Sequence, residues 1–118
     1  MKKIEAVVLP SRVGAIRAEL ERRGIFAGLT LTKVQHGDPH DHPTTVRNGS
    51  AGGLKKRIKL ELIVGDRQAE KAVSVILRHA LTDSSETDGH VTLLGVHEVL
   101  QITHPASDIS GPAARENP

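Results

Sequence analysis

The run His36-Gly37-Asp38-Pro39-His40-Asp41-His42 packs three imidazoles and two carboxylates into seven residues. Imidazole nitrogen and carboxylate oxygen are ligands for zinc, copper or nickel, so His36, His40 and His42 form a candidate metal set. Pro39 and Pro43 constrain the turn, and no second ligand cluster supplies the outer partners that orient a tight metal centre. A solvated loop is the competing reading. Asn48-Gly49-Ser50-Ala51-Gly52-Gly53 has the glycines of a phosphate-cradling loop, but nothing in the chain matches G-x-x-x-x-G-K-[ST]. Arg57 follows that segment, and its planar fork suits a carboxylate, bicarbonate or phosphate gripped at two points. Thr87-Asp88-Gly89 contains the Asp-Gly pair of a tight turn, whose backbone N–H groups can face an anion.

Groups that would make a catalyst are missing. There is no cysteine, no G-x-S-x-G elbow and no paired-carboxylate signature. These observations favour a binding module over an enzyme. Sixteen Lys and Arg against fourteen Asp and Glu give a net charge of +2, too balanced for nucleic-acid binding driven by charge. One Phe and no Trp or Tyr leave no platform for stacking bases. The absence of cysteine excludes disulfides and thiolate metal sites and fits a reducing compartment. No apolar stretch approaches the roughly 18 residues of a spanning helix, so the expected location is cytoplasmic.

The elements that position these groups follow from periodicity. Residues 2–9 alternate as a strand, with Ile4, Ala6 and Val8 on one side and Lys3, Glu5, Val7 and Leu9 on the other. Pro10 ends it, Ser11 is the expected N-cap, and Val13, Ile16 and Leu20 recur at helical spacing up to Gly24, the expected C′ residue. Leu29 to Val34 reads as a second strand. Residues 36–54 hold four glycines, two prolines and three histidines, a long irregular segment of the kind that tends to be functional. Lys55 to Val64 alternates cleanly, with Ile58, Leu60, Leu62 and Val64 on one face and Arg57, Lys59, Glu61 and Ile63 on the other. Asp66 is the expected cap of a helix with the stripe Ala69, Ala72, Val73, Ile76, Leu77 and Ala80. A polar loop leads to a strand from His90 and a final apolar stretch, Val96 to Ile102.

The order strand, helix, strand, strand, helix, strand is that of the α+β, ferredoxin-like βαββαβ sandwich. Residues 1–103 form its single domain, and 104–118 are expected to be a flexible tail. Both helices cover one sheet face. The opposite face mixes Val7, Leu9 and Ile63 with Lys3, Glu5, Lys59 and Glu61. A symmetric oligomer would cover that apolar part, while a solvated face with cross-strand ion pairs needs no partner.

Three stretches carry a family resemblance: Met1-Lys2-Lys3-Ile4-Glu5-Ala6-Val7-Val8-Leu9-Pro10, the run from Glu19-Leu20 through Gly24-Ile25 to Gly28-Leu29-Thr30-Leu31-Thr32-Lys33-Val34, and Lys59-Leu60-Glu61-Leu62-Ile63-Val64 followed by Asp88-Gly89. Together they resemble the PII signal-transduction proteins over residues 1–102, with residues 36–54 falling where that family has its T-loop. The resemblance implies a homotrimer with adenine nucleotides held in the clefts between subunits. It implies an adenine region at Gly28, Leu29, Thr30, Glu61, Ile63 and Val64. It implies a phosphate region at Thr87, Asp88, Gly89 and His90, at His36 and Gly37, and at Gln101 and Thr103.

Several positions depart from the family pattern. His90 stands where the family has a phosphate-binding lysine, and Gln101 and Thr103 where it has arginines. Each lost charge-assisted bond is worth about 1.5–3 kcal/mol, and ATP loses most, so ADP or AMP is the expected ligand. The T-loop tyrosine has no counterpart, because the chain has no Tyr. The resemblance therefore points to PII-like relatives of the kinds associated with bicarbonate transporters and carboxysomes. In these a small anion such as bicarbonate binds at the T-loop base, where Arg57 sits, and the T-loop docks on a membrane transporter. The alternative implied group is the copper- or zinc-linked one, through the copper-tolerance trimers of the same fold.

Overall fold

A computed structural model describes residues 1–25, 28–37, 54–82 and 89–104. Strand β1 is Lys2–Val8, helix α1 Val13–Arg22, β2 Thr30–His36, β3 Lys55–Val64, α2 Asp66–Ala80 and β4 His90–Gly95. The strands form one antiparallel sheet in the order β2-β3-β1-β4. β1 and β2 both lie beside β3, the split βαβ arrangement expected from the sequence.

The β1–β3 register pairs Ile4 with Leu62, Ala6 with Leu60 and Val8 with Ile58. Partners share a face, so the alternation in both strands delivers one apolar surface. Ile4, Ala6, Val8, Leu60, Leu62 and Val64 form the core with Ile16 and Leu20 of α1 and Ala69, Ala72, Val75 and Ile76 of α2. The core is aliphatic throughout, as the composition requires.

Local details differ from the sequence reading in four places. Ser11 does not cap α1. Pro10 opens a single 3-10 turn, Pro10–Arg12, in which the Arg12 N–H donates to the Leu9 carbonyl at 3.0 Å. The chain has already turned before Ser11 could cap, and Arg12 takes the N-cap place with no side-chain bond. Asp66 is likewise not a cap: Gly65 holds that position, and the Gln68 and Ala69 N–H groups donate to its carbonyl at 2.9 and 3.1 Å. The Asp66 carboxylate instead meets the Met1 ammonium at 3.0 Å, which holds it below the usual carboxylate range. On α2, Val75 is buried and Leu77 is 52% exposed, because α2 packs against α1 as well as the sheet and its apolar face is turned accordingly. β2 starts one residue later than expected and runs to His36.

Two glycines have a conformational reason. Gly24 (φ +70°) ends α1 in a Schellman turn, its N–H donating to the Glu21 carbonyl at 3.1 Å and that of Ile25 to Leu20 at 2.9 Å. Gly89 (φ +143°) brings the chain into β4 so close to β1 that a Cβ would sit on the Val7 carbonyl oxygen and 3.1 Å from its carbon. Val7, on the outer face of the sheet, is only 8% exposed, so little of its side chain is left for a second subunit to cover.

Candidate functional site

The face away from the helices carries Lys3, Glu5 and Val7 of β1, Arg57, Lys59, Glu61 and Ile63 of β3, Thr30 and His36 of β2, and His90 of β4. At the Lys3 end of this face lies a cavity of about 590 Å³. Gly28, Thr30, Glu61, Ile63 and Gln101 line it, all of them residues singled out from the sequence, together with Met1, Lys3, Leu62 and Val99. β2 pairing with β3 stops at Thr30 and Glu61, while β3 continues to Val64 with partners on β1. Among the described residues, Leu62, Ile63 and Val64 therefore have no strand partner on the β2 side, and Leu62 and Ile63 of this open edge line the cavity.

The charges of that wall are set by register. Glu5 and Glu61 are directly opposed across β1 and β3, an unfavourable pairing for like charges. The Lys3 ammonium joins them, 3.1 Å from Glu5 and 3.4 Å from Glu61, and Lys59 lies 3.7 Å from Glu61. The hydrogen bond from Lys3 holds the Glu5 carboxyl below its ordinary range, and the bonds to Glu5 and Glu61 hold the Lys3 ammonium above its own.

A second set gathers at the other end of the same face. His36 closes β2 and His90 opens β4, and their ring centroids are 4.9 Å apart at a tilt of 50°. Gly37 and Gly89 flank them in the chain. Arg57, paired with Val34 on this face, donates from Nη1 to the Lys56 carbonyl at 2.8 Å. Lys3 and Val7, which mark the two ends on β1, are four residues apart, roughly 14 Å of strand.

The remaining singled-out residues fall elsewhere. Leu29 borders a separate cavity of about 160 Å³ on the helix side, with Leu20, Ile25 and Leu31. The Val64 side chain is buried in the core, and Val64 is not among the residues that line the cavity. Thr103 is exposed beyond β4. Thr87, Asp88, His40 and His42 lie outside the described residues, as does the tail from residue 105. Among the described residues, no three His, Cys, Asp or Glu gather as a metal set, and no helix is long and apolar enough to cross a membrane. Sequence reasoning did not assign Met1, Lys3 and Val99 to the cavity. The signal for Lys3 was present: alternation puts it on the Glu61 face, and only the register brings the two together.

Comparison with known proteins gives the family of the chain. The family model described as nitrogen regulatory protein P-II matches residues 1–105. The chain is 30% identical over 104 residues to the nitrogen regulatory protein P-II of Pyropia yezoensis, covering 86% of this chain and 91% of that protein. Identity to the proteins of the same name from Pasteurella multocida and Bradyrhizobium diazoefficiens is 30% and 28%, with the same coverage. The opening strand, the β3 motif and the ferredoxin-like order thus have one explanation: the chain belongs to the nitrogen regulatory protein P-II family.

Proposed function

We propose that this chain is a non-enzymatic signalling regulator that binds ADP or AMP in clefts between the copies of a homotrimer. The observation that carries this reading is the cavity at Gly28, Thr30, Glu61, Ile63 and Gln101, which coincides with five positions expected at a nucleotide site. The open β3 edge at Leu62–Val64 offers backbone donors and acceptors for an adenine edge. The His36, Gly37, Gly89 and His90 set lies at the far end of the strands, which suits a cleft where one copy supplies the base-binding set and its neighbour the phosphate-binding set. Exposed apolar side chains at Leu93, Leu94, Val99, Leu100 and Ile102 supply surface for such an assembly.

With His90, Gln101 and Thr103 at the positions that the family resemblance gives to phosphate-binding cations, a triphosphate gains little over a mono- or diphosphate. Arg57 is the proposed ligand of a small anion such as bicarbonate. Nucleotide and anion bound at its base control how the segment 36–54 docks on a membrane transporter or another partner of the cytoplasm. Such a switch needs the ligand to contact one state of the segment better than the other.

Calorimetry with ATP, ADP and AMP, each with and without bicarbonate, tests the reading. ADP or AMP should bind at least as tightly as ATP, and bicarbonate should tighten binding in the wild type but not in Arg57→Ala. A marked ATP preference, or no binding by any of the three, refutes it.

A further inference from the structure

We propose that His36 and His90 are the protein ligands of a zinc site at the phosphate end of the nucleotide cleft, with nucleotide phosphate oxygens filling its open positions. The second half of this statement rests on the nucleotide reading above; the imidazole pair rests on its own geometry. His36 belongs to one edge strand and His90 to the other, yet their rings meet across the sheet end at 4.9 Å. Two imidazoles on one tetrahedral zinc each place nitrogen about 2.0–2.1 Å from the metal. With each ring centre about 1.1 Å further out and an angle near 109° at the metal, the centroids are about 5.1 Å apart. The observed separation matches that spacing. The 50° tilt is neither the parallel nor the perpendicular arrangement that aromatic rings prefer for their own sake.

His36 is half-buried and His90 exposed, so an ion has access from solvent. Two protein ligands leave two positions of a tetrahedral ion open. Among the described residues no third His, Asp or Glu joins the pair, and the open positions suit water or ligand oxygens. A neutral imidazole offsets none of a phosphate's charge, whereas a divalent ion held by two imidazoles does. Zinc and nucleotide should therefore each tighten the other by one common factor, as linkage requires.

The test uses the full chain carrying His40→Ala and His42→Ala, so that those imidazoles cannot answer for the pair. Cobalt(II) is titrated as a visible-light probe of tetrahedral coordination, with zinc calorimetry alongside, both with and without AMP. Zinc should tighten AMP at least about fivefold. Either His36→Ala or His90→Ala should abolish the cobalt band and that factor together. His36→Gln and His90→Gln, which keep size and polarity, give the same reading if an alanine variant fails to fold. AMP binding that ignores zinc, with no cobalt band, overturns the site and leaves the nucleotide reading standing. A band lost in both variants in a chain that binds no AMP upholds the imidazole pair and overturns the nucleotide reading instead. Metal binding that persists in both variants overturns the inference.

Discussion

Replacing Gly89 with alanine should unlock the junction between β1 and β4, and its cost can be worked from the geometry. At φ +143° the backbone is in a region that residues with a side chain rarely adopt, and holding one there costs about 1–3 kcal/mol. The added Cβ would also lie on the Val7 carbonyl oxygen and 3.1 Å from its carbon. The obstacle is backbone in a central strand, not the end of a flexible side chain. Relieving it means moving the start of β4 away from β1, a further cost of about 1–3 kcal/mol by analogy with overpacked cores. Together these reach about 2–6 kcal/mol, a large part of the 5–15 kcal/mol typical of a domain. For a chain of this size the melting temperature should fall by on the order of 10–20 °C. Gly14→Ala is the matched control: it adds the same methyl near the start of α1, where a Cβ meets nothing within 4 Å. It should stabilise by about 0.4–1 kcal/mol through the unfolded chain. Thermal melts followed by circular dichroism compare the two. A Gly89→Ala melt within 2 °C of wild type would refute the close-approach argument, and with it the account of how His90 is held.

Other perturbations test other parts of the structure. Glu19 accepts from Arg22 at 3.0 and 2.6 Å and from Arg23 at 2.6 Å, and these bonds depress its carboxyl to about 2. A depressed carboxylate stabilises above its unfolded value and loses that stabilisation as pH falls. Glu19→Gln should therefore melt below wild type at pH 7, with the gap closing between about pH 4.5 and 2 in melts across that range. Lys3→Met leaves Glu5 and Glu61 opposed with less cation between them, so the Glu5 carboxyl should titrate at higher pH by NMR; an unchanged titration refutes the bridging role of Lys3. Wild type should be trimeric by light scattering at micromolar concentration, and Ile63→Asp should weaken assembly or nucleotide binding. A wild-type monomer would sink the shared-cleft reading.

The strands were the legible part of this chain. Ten residues from Lys55 to Val64 alternate without interruption, and the two faces read from sequence are those observed. Less legible was anything decided by a neighbour. Val75 and Leu77 sit at opposite edges of the α2 stripe, and periodicity cannot tell which edge another element will cover. Asp66 fits the cap pattern, but the Met1 ammonium, brought up by β1, takes its carboxylate. Val7 reads as an apolar residue on an open face, yet it is only 8% exposed once the strands are paired. The candidate site behaved the same way. Its residue types were visible along the sequence, while the meeting of His36 with His90 and of Lys3 with Glu61 depends on strand order and register.

That register ties the site to the core. Ile4 with Leu62 and Ala6 with Leu60 fix the apolar face, and the alternate pairs, Lys3 with Ile63 and Glu5 with Glu61, are then fixed as well. A slip of one residue would move the aliphatic set to the outer face and the charges inward. The core therefore holds Glu5 opposite Glu61, a pairing that costs stability by itself and is offset by Lys3 and Lys59. Two carboxylates and two ammonium groups leave this wall close to neutral, so it has no net field with which to repel an approaching anionic ligand. The aliphatic pattern that folds the protein is thus also what sets the charge balance of this outer wall.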